Sequence, residues 1–238
     1  AGDKLLSNVA PAVLAGLRGT SPPVSLDGCQ LKINMLVTRL PSLRSGHDPR
    51  EAFAGTFHVN ESFDQLERAY AEAAAGKFPT VLPLEMYCHT LTDPTILSVD
   101  LQRRGYHSLT LFGLHTPAAL FDNNHDEQRQ RGLTAALASL NQYLAEPIES
   151  VLAVSSSGTP AIEVKSPLDI ERSIGMPRGN IFHHDLSFPF REDDESPGWG
   201  VETDDPNIFI CGAGARRGGG VSGIPGHNAA MAILQRKF

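Results

Sequence analysis

The chain has 238 residues, enough to bury a sizeable hydrophobic core in one large domain or two smaller ones. Its formal net charge of −7 and its isoelectric point near 5.7 argue against nucleic acid or an anionic membrane surface as the main partner. The apolar runs all fall short of the roughly 18 residues that span a bilayer, so no transmembrane segment is predicted.

In the first half of the chain, apolar periodicity predicts short strands with two helices between them. The clearest strand is Leu31–Val37, where apolar and polar side chains alternate. Ser62 and Gln65 have the form of a capping box, and Phe63, Leu66, Tyr70 and Ala73 follow with helical spacing. The other expected elements are a buried strand at 4–9, a helix at 12–17 ended by Gly19, a loop at 39–53, and strands at 56–59, 81–88 and 106–114.

In the second half, the strongest helix signal covers residues 126–144, with leucines 133, 137, 140 and 144 on one face. This stripe belongs to the core or to an apolar substrate tunnel, and the core is favoured. Because turns and few helices separate the strands, we expect an α/β (α+β) fold with a mixed or antiparallel sheet. The remaining expected elements are a strand at 162–164, a helix starting near Ser166, an acidic domain crossing at 191–206, a strand at 207–211 and a helix at 225–236.

The segment from Asn207 to Ala230 is the most informative, because a strand leads through a glycine-rich loop into a helix. Glycine can take positive φ and lets backbone approach a flat ligand closely. The start of the following helix offers free N–H groups and a partial positive charge, which would favour the negative charge of a reduced flavin. From the residues alone, a flexible linker or a structural turn remains an equal alternative.

This segment resembles the C-terminal signature of phytoene-desaturase-like FAD-dependent oxidoreductases, closest to the branch of the pyridine nucleotide-disulfide oxidoreductase domain-containing protein 2 type. That signature is Leu-Tyr-Leu-Cys-Gly-Ala-Gly, then His-Pro-Gly-Gly-Gly-Val, then Gly-x-x-Gly-Arg-Asn-Ala-Ala. The similar positions here are Cys211 to Gly214, Gly218 to Val221, Gly223, Gly226 and Asn228 to Ala230. Four further segments resemble family motifs in the same order: Lys4 to Pro11, Asp93 to Thr95, Ser166 to Glu171 and Gly179 to His183.

The resemblance implies a mixed-sheet substrate domain plus the C-terminal part of a Rossmann-type FAD-binding domain, of the amine-oxidase and phytoene-desaturase kind. By this map, residues 1–20 and 204–238 belong to the FAD domain and residues 21–203 to the substrate domain. His183 is the implied catalytic candidate, with a structural hydrogen bond as its alternative role. The implied cofactor-binding residues are Gly212, Ala213, Gly214, Gly219, Gly220, Val221 and Gly223.

The chain departs from the family pattern in four ways. Arg216 and Arg217 replace a His-Pro pair, His227 replaces an Arg, and acidic residues 192–195 stand where relatives carry basic and aromatic ones. No Gly-x-Gly-x-x-Gly segment follows a predicted strand, and this is the motif that binds the ADP part of FAD. We therefore expect an N-terminal FAD-binding half, from the same gene or a separate subunit, and an inactive chain without it.

The remaining reactive residues carry no further site. The nine histidines lack ligand spacing, so no metal site is predicted. Cys29, Cys88 and Cys211 are widely spaced and fit buried thiols in a reducing compartment better than a disulfide framework. The run of serines at 155–157 lacks a nucleophile-elbow pattern and indicates a turn.

Together these features predict the C-terminal portion of an FAD-dependent dehydrogenase or desaturase that oxidises a small, apolar organic substrate by hydride transfer to flavin. The expected location is the cytoplasm, or the mitochondrial matrix if the source is eukaryotic, and a homo-oligomer is left open. The alternative is a non-catalytic module that binds a ligand or a protein and lacks the dinucleotide-binding half.

Overall fold

The computed structural model describes residues 3–22, 27–183, 198–216, 218 and 221–235. Most of the predicted strands and helices are confirmed within a few residues of their expected bounds. In chain order the elements are β1 (Leu5–Ser7), α1 (Pro11–Arg18), β2 (Leu31–Val37), α2 (Pro49–Ala52), β3 (Phe57–Val59), α3 (Phe63–Ala74), β4 (Leu84–Tyr87), α4 (His89–Thr92), α5 (Val99–Arg103), β5 (His107–Gly113), α6 (His125–Asn141), β6 (Ile162–Lys165), α7 (Pro167–Ile174), β7 (Ile208–Ile210) and α8 (Ile224–Gln235).

The chain divides into two compact units. Residues 29–168 form what we call the central unit, and residues 1–28 with 169–238 form the terminal unit. The predicted boundaries at 20/21 and 203/204 differ from this division. Residues 27 and 28 join the terminal unit because Arg178 bonds to both: its Nε donates to Asp27 Oδ1 at 2.7 Å, and its carbonyl accepts from Gly28 N–H at 3.0 Å. The assignment of either unit to FAD or substrate stays a prediction.

The central unit is built on a five-stranded sheet of order β3-β4-β5-β2-β6, in which every neighbouring pair is antiparallel. The alternation predicted for β2 is confirmed, because Leu31, Ile33, Met35 and Val37 are buried and the residues between them are only partly so. In register with Ile33 lie Leu111 on β5 and Val164 on β6. This alternation directs one apolar face of the sheet into the core.

Helix α6 packs on the apolar core of the central unit. Leu140 and the following Leu144 are fully buried, while Leu133 and Leu137 are partly buried against the same cluster. The leucine stripe is therefore core, as its spacing favoured. A Cβ at Gly132 would lie 2.9 Å from Leu31 Cδ2, so glycine lets this helix approach β2 closely.

The N-terminus of α3 is confirmed, but its predicted apolar face is confirmed only for Ala73, which is buried, and Leu66, which is partly buried. Ser62 is the N-cap, and its Oγ accepts a hydrogen bond from Gln65 N–H at 3.4 Å. However, the side chains of Phe63 and Tyr70 are 78% and 60% exposed, whereas Ala69 and Ala73 are buried. The helix packs through these small residues, one turn apart, so the larger aromatic rings on other faces remain outside.

The terminal unit contains a two-stranded parallel sheet in which Leu6 of β1 pairs with Phe209 of β7. A helix follows each strand, and α1 ends as predicted at Gly19, which takes φ 68°. Phe209 lies in a small core that includes Ala229 and Ala232 of α8. Parallel pairing here and antiparallel pairing in the central unit confirm the α+β fold class.

The predicted burial of β1 is wrong. The side chains of Leu5 and Leu6 are 52% and 50% exposed, and only Ser7 of this strand is buried. A sheet of two short strands has few neighbours to cover the faces and outer edges of its strands. Among the described residues, no helix is long and apolar enough to cross a membrane.

The core of the central unit provides a stability test. Leu111→Ala, on the sheet's middle strand, should lower the free energy of unfolding by about 2–5 kcal/mol, because it removes transfer energy and leaves a cavity. Phe63→Ala should change it by less than about 0.5 kcal/mol, since its ring is exposed. Urea denaturation followed by circular dichroism measures both. Equal losses would contradict the observed orientation of α3.

A second test concerns acid stability. Arg39 donates to both carboxylate oxygens of Glu146, each at 2.6 Å, and this guanidinium lowers the pKa of Glu146 to about 2. A lowered folded-state pKa adds stability above the ordinary carboxyl pKa, and this is lost as pH falls toward 2. Glu146→Gln should therefore be less stable than wild type at neutral pH, with the difference shrinking between about pH 5 and pH 2. Glu67→Gln, at an exposed position of α3, is the matched control for the loss of one surface carboxylate.

Candidate functional site

The carboxyl ends of β1 and β7 lie side by side, because the two strands are parallel. Ser7 leads into the turn Asn8 to Pro11, and Ile210 leads into the turn Cys211 to Gly214. Cys211 N–H donates to Ser7 O at 2.8 Å and extends the ladder to this edge. In open parallel α/β sheets, such an edge is where nucleotides and other ligands bind.

Two of the predicted cofactor-binding glycines are required by packing within the terminal unit. A Cβ at Gly212 would collide with Asn8 Oδ1 and lie 3.0 Å from the Asn8 carbonyl oxygen. A Cβ at Gly214 would collide with Pro11 Cδ and lie 2.8 Å from Pro11 Cγ. These contacts explain why the β7 turn carries glycine, independently of any ligand.

The later part of the loop faces outward at the start of α8. The side chain of Val221 is fully exposed, and Gly223 takes φ 73° with open space where a Cβ would stand. Ser222 Oγ accepts from Ile224 N–H at 3.3 Å, and Ile224 itself is 46% exposed. Ala213 is also exposed, whereas Gly219 and Gly220 lie outside the described residues. This part presents a small apolar surface beside a helix N-terminus.

His183 lies near the β7 turn. Its ring Cδ2 is 3.6 Å from the position of a Cβ built on Gly214, and the residue is 8% exposed. The backbone N–H of His183 donates to Asn180 O at 3.0 Å, and φ is 64°. Three segments that resemble family motifs, ending at Pro11, at His183 and within α8, therefore meet in one unit. His184 and Asp185 lie outside the described residues.

A partly buried carboxylate organises the loop before β7. Glu202 accepts from the N–H groups of Trp199 and Val201, each at 3.1 Å. Burial opposes ionisation of this carboxyl, but these backbone hydrogen bonds outweigh it, so the pKa of Glu202 is lowered. Asn228 of α8 donates to Trp199 O at 3.1 Å, which ties the helix to the same loop. Asn228, one of the family-like residues, thus supports the site structurally.

Two arrangements in the central unit resemble nucleophilic sites but cannot act as such. His125 Nε2 lies 2.8 Å from Ser166 Oγ and its Nδ1 lies 3.3 Å from Asp126 Oδ1, yet Ser166 is fully buried and no substrate could reach it. Burial raises the pKa of the Cys88 thiol, which disfavours the reactive thiolate. None of the three cysteines forms a disulfide, and only Cys88 is buried, since Cys29 is exposed and Cys211 is partly exposed.

A cluster that the sequence did not predict lies at the edge of the central sheet. One ligand atom each from His58, Glu61 and Glu85 falls within 4.8 Å of the others. The spacing of the histidines does not reveal this cluster, because two of its three residues are glutamates. One of these, Glu85, comes from the neighbouring strand. The usable signal is a His-x-x-Glu spacing at the end of one strand, with a Glu in the next.

A tight glycine turn at the carboxyl end of a parallel strand also occurs in α/β ligand-binding domains. No protein-family profile matches the chain. Over 97% of its length it is 52% identical to uncharacterised proteins of Mycobacterium tuberculosis and Mycobacterium bovis, covering 44% of each. Over 86% of its length it is 28% identical to pyridine nucleotide-disulfide oxidoreductase domain-containing protein 2 of rat, covering 35% of that protein.

The chain thus spans less than half the length of these curated relatives. The mouse protein of the same name matches at the same identity, over 86% of the chain. These distant similarities support a relationship with that oxidoreductase family.

The packing role of Gly214 can be tested against a helix glycine of the same unit. Gly214→Ala should lower the free energy of unfolding by about 1–3 kcal/mol, because the methyl group must displace Pro11. Gly16→Ala should raise it by about 0.5–1 kcal/mol, because Gly16 lies inside α1 with nothing within 4 Å of the added Cβ. Equilibrium unfolding in urea gives both values. If Gly214→Ala left the free energy of unfolding unchanged, the packing explanation for this glycine would be wrong.

Proposed function

We propose that this chain is the C-terminal portion of an FAD-dependent oxidoreductase that oxidises an organic substrate by hydride transfer to flavin. The observation that carries the proposal is the convergence at the carboxyl edge of β1 and β7. The β7 turn, the Asn8 to Pro11 turn and His183 meet there, and each belongs to a segment that resembles a flavoprotein motif. The distant oxidoreductase relatives support the same class.

The outward surface of the loop before α8 fits a flat ligand. Gly223 has no side chain, Val221 and Ile224 offer apolar contact, and the 12-residue helix α8 starts beside them. Bound flavin would supply the hydride-accepting chemistry. The N-terminal N–H groups of α8 would favour negative charge on the ring, and the backbone near Gly223 would let the ring approach. We propose the exposed residues Ala213, Val221 and Gly223 for cofactor contact, with Gly212 and Gly214 holding the turn. Gly219 and Gly220, which lie outside the described residues, remain proposed cofactor-binding residues on the family resemblance alone.

The proposed role of His183 is to line this site as the catalytic candidate. Its imidazole is close to Gly214 and mostly shielded from solvent, so it could position a polar group of the substrate or move a proton. The central unit is the proposed substrate-binding part. The face of its sheet opposite the core carries Tyr87 and Phe112, whose ring centroids lie 5.9 Å apart in an edge-to-face contact, and Thr110 is the cross-strand partner of Tyr87.

The proposed partner is a polypeptide segment that supplies the dinucleotide-binding half. The exposed leucines of β1 support this, since apolar strand side chains at half exposure are suited to further packing. An added half would also cover the outer edge of β1, which pairs with no further strand among the described residues, whereas the outer edge of β7 already bridges to Glu202. The gain in buried apolar surface would stabilise the terminal unit.

Flavin retention tests the proposal. The chain should be co-expressed with the part of its mycobacterial relative that lies outside the matched region, and the purified complex should show the visible absorption bands of flavin. The chain alone should stay colourless with added FAD. A colourless but stable complex would contradict the proposed function and favour the non-catalytic binding module.

Val221→Asp tests the predicted contact surface. Val221 is fully exposed in this chain, so the substitution should leave the free energy of unfolding unchanged within about 0.5 kcal/mol. In the complex, it should lower flavin occupancy or the flavin reduction potential, because it replaces an apolar contact with a negative charge. Val154→Asp, at an exposed position of the central unit, is the matched control. Equal flavin content and potential in both variants would exclude Val221 from the cofactor site.

A further inference from the structure

The unpredicted cluster at the sheet edge follows from strand register. His58 of β3 and Glu85 of β4 are direct cross-strand partners, so their side chains lie on the same face of the sheet. Asn60 takes φ 58°, a left-handed conformation that reverses the chain after β3. This reversal brings Glu61 back onto that face, where its Oε2 lies 2.5 Å from His58 Nδ1.

The two carboxylates of the cluster lack a full counter-charge. Among the described residues, neither Glu61 nor Glu85 forms an ion pair with a lysine or arginine; the partner of Glu61 is His58. The Glu61 side chain is only 15% exposed, and its buried Oε1 has no hydrogen-bond partner among the described residues. A buried acceptor of this kind is costly unless a proton or a cation satisfies it.

Electrostatics within the cluster point the same way. The carboxylates of Glu61 and Glu85 lie close enough to repel each other, and the Glu61 side chain is largely removed from solvent. A bound cation would relieve both effects at once. Tyr87 Oη donates to Glu85 Oε2 at 2.9 Å, which orients this carboxylate while leaving its second oxygen available. The half-exposed ring of His58 leaves the cluster open to solvent.

We propose that His58, Glu61 and Glu85 bind one divalent transition-metal cation at the β3–β4 edge. One imidazole nitrogen and two carboxylate oxygens suit zinc, manganese or cobalt, whereas magnesium and calcium prefer oxygen ligands alone. Metal–ligand distances of about 2.0–2.2 Å place ligand atoms about 3–4 Å apart, which small side-chain rotations would reach from the present positions. The site is independent of the proposed flavin function.

Titration of the metal-free chain tests this site directly. Calorimetry with Zn²⁺ should show one saturable site per chain, and Co²⁺ should give the visible absorption of a protein-bound ion. His58→Gln and Glu61→Gln should each weaken binding at least about tenfold, as expected when one of three ligands is lost. The exposed His47→Gln and Glu67→Gln are matched controls and should bind as wild type does.

Thermal stability supplies a second readout that does not depend on activity. Saturating Zn²⁺ should raise the Tm of wild type and of both controls but not of the ligand variants, because a ligand bound only to the folded state stabilises it. If Glu61→Gln fails to fold, His58→Gln still tests the site. The His58 ring is 53% exposed, so the substitution should not prevent folding. Absence of saturable binding to wild type, or equal affinity in His58→Gln and His47→Gln, would overturn the proposal.

Discussion

The close contact between the turn after β7 and the turn after β1 is the constraint on which the terminal unit depends. Gly212 and Gly214 touch Asn8 and Pro11 so closely that no side chain fits between them. This contact keeps the two parallel strands in register at their carboxyl ends and holds the turn beside His183. The same turn leads into the outward part of the loop and then into the start of α8.

The central unit depends on a different constraint, the burial of one face of an antiparallel sheet. Its strands are short, so stability comes from side chains that alternate into a common core with α6. The opposite face is free to carry polar and aromatic groups. The proposed metal ligands lie at the outer edge of that face, where the chain reverses after β3 and a second carboxylate comes within reach. In each unit, side chains that do not pack into the core therefore remain on the surface, where a ligand or a metal ion can reach them.

Much of the local structure was predictable because it depends on neighbours in sequence. The alternation of β2, the capping serine of α3 and the glycine stop of α1 all follow from short-range rules. The apolar face of α3 was not predictable in this way. Phe63 and Tyr70 have the right spacing for a core face, but which side of a helix packs depends on the surface it meets. Small alanines permitted a closer approach than the aromatic rings.

The amino-acid sequence by itself determined the strand and helix positions, the α+β class and the presence of a glycine turn before the last helix, since these depend on periodicity and backbone freedom. Only the tertiary structure decided what that turn contacts, how exposed Leu5 and Leu6 of β1 are, and that His58 meets Glu85. The physical reason is that such contacts join residues far apart in the chain. Their register and distance arise from packing of whole elements, which no local pattern encodes.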